Sequence, residues 1–81
     1  MARFYFHLQV GRNLVEDADG TELADVEAAR QEAMLAARDL LSDAIRAGRP
    51  KVPQAFVIAD EAGRKLDVVP LAAVLPEPFK K

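Results

Sequence analysis

Large apolar and polar residues alternate at the start of the chain. In Arg3-Phe4-Tyr5-Phe6-His7-Leu8-Gln9-Val10, Phe4, Phe6, Leu8 and Val10 share one side of an extended backbone, and Arg3, Tyr5, His7 and Gln9 share the other. A period of two marks a half-buried strand. Gly11-Arg12-Asn13 supplies turn residues and Leu14-Val15 reads as a short return strand, so the chain opens on a hairpin. Asp17-Ala18-Asp19-Gly20 reads as a loop. Asp25 then stands where a carboxylate can accept the orphan amides of a first helical turn.

The period changes at Val26. From there to about Ala47 the residues are strong helix formers without proline or glycine, and Gly48 followed by Pro50 stops the helix. At about 100° per residue, Val26, Ala29, Ala33, Ala37, Leu40 and Ala44 form one stripe, and its alanines permit close approach to a sheet. Met34, Leu41 and Ile45 widen the apolar arc to roughly half the circumference, more than one sheet contact needs. After the helix, Gln54-Ala55-Phe56-Val57-Ile58-Ala59 reads as a buried strand. Asp60-Glu61-Ala62-Gly63 turns the chain, and Arg64 to Val69 returns as its partner until Pro70. Leu71 to Leu75 can form one helical turn, and residues 76–81 read as a flexible C-terminal tail.

These elements predict an α+β fold of ββαββ order over residues 1–75. Two hairpins form a four-stranded, mostly antiparallel sheet, and one long helix packs on one face. The expected spatial order of the strands is second, first, third, fourth, which makes all neighbours antiparallel and centres the two most apolar strands. Phe4, Phe6 and Leu8 are the expected core of the first strand, with Phe6→Ala expected to cost about 3–5 kcal/mol.

Composition narrows the functional classes. With 81 residues, 51% of them hydrophobic and 30% charged, the chain is one globular domain with a small core. Cys 0 and His 1 exclude disulfides, thiolate metal sites and the imidazole clusters that zinc requires. Self-association remains as a way to add stability. A net charge of -2 gives no general attraction to nucleic acid or to anionic membrane. No run approaches the 18 or so apolar residues of a membrane helix, and Arg12, Glu16 and Asp17 come too early for a signal peptide. The expected location is the cytoplasm.

Three segments carry a resemblance. Arg3-Phe4-Tyr5-Phe6-His7-Leu8, Asp19-Gly20-Thr21-Glu22-Leu23 before the alanine-rich helix, and Ile58-Ala59-Asp60-Glu61-Ala62-Gly63-Arg64-Lys65-Leu66 resemble a family of short bacterial proteins classed as a domain of unknown function. The resemblance extends to about Leu75. It implies a ββαββ fold in a single-domain bacterial protein, and it implies no activity.

Candidate chemistry is sparse. Arg3, Tyr5, His7 and Gln9 share a strand face where a small ligand could meet a guanidinium, an aromatic ring and an imidazole together. Asp17, Asp19, Glu22 and Asp25 lack the spacing of a calcium loop, and turn formation and helix capping account for three of them. No metal or cofactor is expected. Arg46, Arg49 and Lys51 after the helix, with Arg64 and Lys65, could touch phosphates. Met34, Leu41, Ile45 and Val57 are the candidate interface residues, since they widen the helix arc or lie on the sheet face away from it. The sequence therefore reads first as a non-enzymatic interaction module that forms a homodimer or binds another protein. Nucleic-acid binding through the basic residues comes second, and a small ligand-binding protein or enzyme using Tyr5 and His7 third.

Overall fold

The longest strand is β1 (Ala2–Val10), and every other strand is placed by reference to it. The computed structural model describes residues 1–79. On one edge of β1 the chain returns in two pieces. β2 (Asn13–Val15) pairs antiparallel with Leu8 to Val10, and β3 (Thr21–Leu23) pairs antiparallel with Ala2 to Phe4. Between the pairs Leu8–Val15 and Phe4–Thr21 the return path uses two more residues than β1 does. Residues 16–20 accordingly bow away from the ladder.

The helix α1 (Val26–Ala47) follows. The Asp25 side chain accepts a hydrogen bond from the Ala28 amide at 2.8 Å, as its N-cap position predicts. Gly48 closes the helix in the left-handed region at φ 71, donating to Ile45 and bringing the Arg49 amide onto Ala44. β4 (Ala55–Ala59) then pairs with Tyr5 to Gln9 on the other side of β1, and β5 (Lys65–Pro70) pairs with β4. The order β2-β1-β4-β5, with all pairs antiparallel, is the expected one.

The additional strand, β3, has no counterpart in the sequence reading. Its three residues carry no alternating apolar pattern, and Thr21 and Glu22 are exposed. Backbone pairing holds it, together with an ion pair from Arg3 to Glu22 at 3.1 Å.

The core lies between α1 and one face of the sheet. Ala29, Ala33 and Ala37 have no exposed surface and press on Phe4, Phe56, Ile58 and Val69. Because alanine adds only a Cβ, the helix axis comes close and the larger sheet side chains fill the gap. Phe4 is the buried aromatic of β1, while Phe6 and Leu8 are partly buried and pack on the margin. A turn of 3₁₀ helix, Leu71–Val74, closes the side of the core. Leu71 is 2% exposed, and its amide donates to the Gln54 carbonyl at 2.9 Å, which ties this turn to the entry of β4. Burial of Ile58 and Leu71 contributes about 1.5–3 kcal/mol each. Arg30 on α1 reaches Asp67 on β5 at 2.6 Å and also pairs with Glu27, so charge as well as apolar contact fixes the helix on the sheet.

Residues after this turn are less regular. The Phe79 amide donates to the Pro76 carbonyl at 2.9 Å, and Lys80 and Lys81, the end of the expected flexible tail, lie outside the described residues. Among the described residues no helix is long and apolar enough to cross a membrane.

Candidate functional site on the open sheet face

Strand alternation sends every second side chain to the face away from α1. The register sets three rows there. His7 lies beside Val57 and Val57 beside Val68; Tyr5 lies beside Ala59 and Ala59 beside Lys65; Gln9 lies beside Ala55 and Ala55 beside Pro70. On the central strand β4 the middle member of each row is Ala55, Val57 or Ala59, all shorter than their neighbours on β1. The result is a trough along β4 with a ridge of Tyr5 and His7 on one side, their ring centroids 6.3 Å apart and their planes 20° from parallel. The concavity has a volume of about 470 Å³, and Leu14, Lys65 and the turn residues Asp60 and Glu61 complete its wall.

The ridge is held by Asp17. Where residues 16–20 leave the ladder, the Phe6 amide has lost a backbone partner, and the Asp17 Oδ2 accepts its hydrogen bond at 3.1 Å. Asp17 Oδ1 accepts from the amides of Asp19 and Gly20 at 3.2 and 3.3 Å. The Asp17 amide in turn donates to His7 Nδ1 at 3.0 Å. With Nδ1 as acceptor, the proton of the neutral imidazole sits on Nε2. Burial pushes the Asp17 carboxyl up, but the hydrogen bonds from the amides of Phe6, Gly20 and Asp19 together outweigh it and hold the group below its usual range. The next loop position is equally constrained. Gly20 has φ 72, and a Cβ there would stand 2.9 Å from Arg3 Cγ and 3.0 Å from both the Phe4 oxygen and Tyr5 Cε2. Only glycine fits this approach to β1.

Asp60 organises the opposite end of the trough. Its carboxylate accepts from the amides of Ala62 and Arg64 and from the Arg64 guanidinium. The Arg64 amide bond first, then the Arg64 side chain, hold its carboxyl below the ordinary value against a smaller opposing effect of desolvation. Asp17 and Asp60 are thus committed to backbone, whereas Glu16, Glu61 and Lys65 border the trough with exposed charge.

The expected site residues divide. Tyr5, His7 and Val57 meet in the trough. Arg3 is drawn to β3, donating to the Asp19 carbonyl at 2.8 Å and to Glu22, and Gln9 donates to the Gly11 carbonyl at 2.8 Å. Neither lines the concavity. Met34 and Leu41 are half-buried against the core, and Ile45 is 72% exposed. The basic residues do not converge. Arg46, Arg49 and Lys51 precede β4 while Arg64 and Lys65 follow it, so a five-residue strand, about 17 Å long, separates the two groups. Asp17 and Lys65 are among the trough residues that the sequence reading did not place there, as are Leu14, Glu16 and the turn residues Asp60 and Glu61. An Asp-x-Asp-Gly run after a short return strand was the available signal for Asp17, and it reads equally well as a turn.

Among the described residues no group of three or more His, Cys, Asp or Glu side chains could hold a metal ion. The one serine, Ser42, lies in α1 and the one threonine, Thr21, in β3, and neither lines the trough. What the trough presents is an apolar floor, two stacked rings with donors at their edges, and a rim of both charge signs.

The sequence matches the family described as Domain of unknown function (DUF6894) over residues 3–72. The chain belongs to this family. The matched span runs from the start of β1 into the 3₁₀ turn and so includes both walls of the trough. Comparison with curated proteins and with solved structures finds no significant match.

Proposed function

We propose that this DUF6894 protein is a non-enzymatic interaction module that self-associates through its open sheet face, in the reducing cytoplasm of a bacterial cell. One observation carries the reading: the sheet has a face that no helix covers, with a trough down its central strand beside a taller ridge. Ridge and trough are adjacent and run parallel, the relation that a two-fold axis lying between two facing sheets, parallel to the ridge and the trough, converts into mutual insertion. Tyr5 and His7 of one copy would then fill the β4 trough of the other, and each would bring an apolar body with a polar edge, as interface aromatics do. Division of the basic residues between two ends of β4 favours this over a phosphate-binding surface. Light scattering after gel filtration tests it. The expected mass is twice the 8.9 kDa of the chain, and Val57→Lys, which raises a charge from the trough floor, is expected to return it to one chain. A wild-type protein that runs as a single chain at high micromolar concentration would overturn the reading.

A further inference from the structure

A second concavity lies on the other side of the molecule, between the C-terminal half of α1 and the 3₁₀ turn, with a volume of about 380 Å³. Its apolar walls are Leu41 and Ile45 on one side and Val74 and Pro76 on the other. Ile45 is 72% exposed at its lip. The 3₁₀ turn therefore covers Leu41 but leaves the outer part of the helix arc open. Two guanidiniums border this groove, Arg38 and Arg46, and among the described residues no carboxylate lines it. Arg46 donates to Ser42 Oγ at 3.1 Å, a neutral partner, and neither arginine forms an ion pair among the described residues.

Placement makes this more than a solvated helix surface. Arg46 is in the last turn of α1, where a cation favours the helix dipole. Arg38 is more than two turns earlier, beyond the reach of that effect, yet it faces the same groove. The chain as a whole carries -2, so an apolar groove with cations alone on its rim runs against the bulk charge. From Arg38 to Arg46 the groove extends about 12 Å along α1, the length of about two helical turns. That is room for two or three side chains of a short segment, each end within reach of one guanidinium.

We propose that this groove binds a short segment of a partner protein in which two or three apolar side chains are flanked by carboxylates. The apolar anchors displace water from Leu41, Ile45 and Val74, and the carboxylates pair with Arg38 and Arg46. This surface is independent of the open sheet face and does not rest on self-association.

The test uses the full chain and two fluorescein-labelled amphipathic peptides of about 14 residues, long enough for leucines at i, i+4 and i+7. One carries Glu beside the leucines and the other carries Lys at the same positions. Fluorescence anisotropy is expected to show the Glu peptide binding at least about tenfold more tightly than the Lys peptide, with the difference shrinking as salt rises. The double variant Arg38→Glu with Arg46→Glu is expected to invert the preference, and this gain of Lys-peptide binding also shows that the variant is folded. Ile45→Ser is expected to weaken the Glu peptide severalfold, while Val57→Lys on the opposite face leaves it unchanged. Equal binding of the two peptides, no binding of either, or a preference that survives the double variant overturns the proposal. So does laurate binding in the groove without peptide binding, or a groove shielded by a second copy in the wild type.

Discussion

The two faces of the sheet are cut from the same strands, residue by residue in alternation, yet they obey different rules. On the helix face, Phe4, Phe56, Ile58 and Val69 meet three alanines with no exposed surface. On the open face, Tyr5, His7 and Val57 line a concavity walled by Leu14, the loop that carries Asp17 and the Asp60–Glu61 turn, and no helix covers them. Position on the first face is set by volume, because close-packed apolar groups lose dispersion and cavity energy with any mismatch. Position on the second is set by hydrogen bonds and by how tall each side chain stands, because solvent fills whatever space remains. The first face explains why the domain folds, and the second has features that folding alone does not require.

Substitutions should separate these faces by magnitude. The largest effect is expected from Phe4→Ala, which empties the centre of the helix face and should cost about 3–5 kcal/mol, much of the stability of so small a domain. Urea unfolding would measure it. A loss below that of Phe6→Ala would reverse the burial order found here. Ala33→Leu is expected to destabilise by about 1–3 kcal/mol, since a completely buried alanine between helix and sheet has no room for a larger side chain. An unchanged melting temperature would mean that α1 does not rest on its alanine stripe.

Asp17→Asn probes the device that supports the open face. Asparagine keeps one acceptor oxygen where the carboxylate uses two, so either the Phe6 amide or the loop amides lose a partner, at a cost of roughly 1–3 kcal/mol. Acid should act in the same direction. The carboxyls of Asp17, Asp60 and Asp67 all lie below their ordinary values in the folded protein; Asp67 is lowered first by its hydrogen bond from Arg30 and then by that from the Val68 amide. Groups with depressed folded pKa values contribute stability that is complete above the unfolded value of about 4 and is lost as the pH falls through the folded value. Melting temperature should therefore fall as the pH drops below about 5, and less steeply in Asp17→Asn. A flat profile between about pH 5 and 3 would show that these carboxylates do not support the fold. The smallest effect on stability is expected from Val57→Lys, under about 1 kcal/mol, because the ammonium can reach water from the trough floor. The contrast sought is a variant that melts almost like the parent but lacks the proposed self-association.

Much of the helix face was legible in the chain. Its periods of two and of about 3.6, the Asp25 cap, the Gly48 stop and the turn at Gly63 are local features, decided by neighbours a few residues apart, and all appear where the pattern puts them. Less of the candidate site was legible. Tyr5 and His7 could be assigned to a common face from alternation alone. That Arg3 and Gln9, on the same face, turn to β3 and to Gly11 depended on partners that periodicity does not reveal.

What the sequence determined by itself was the set of elements, their order and the side of each strand that must be buried, because each follows from backbone preference and from the energy of removing apolar groups from water. Tertiary structure alone decided that Phe4 rather than Phe6 is the buried aromatic, since that depends on where α1 crosses β1. It also decided that Asp17 replaces a missing ladder bond and orients His7, because the two residues in excess on the return path acquire meaning only once β2 and β3 are both paired to β1. The trough is tertiary in the same sense. Val57 and Ala59 are short side chains in any reading of the chain, and they become the floor of a concavity only when strand pairing stands His7 and Tyr5 beside them.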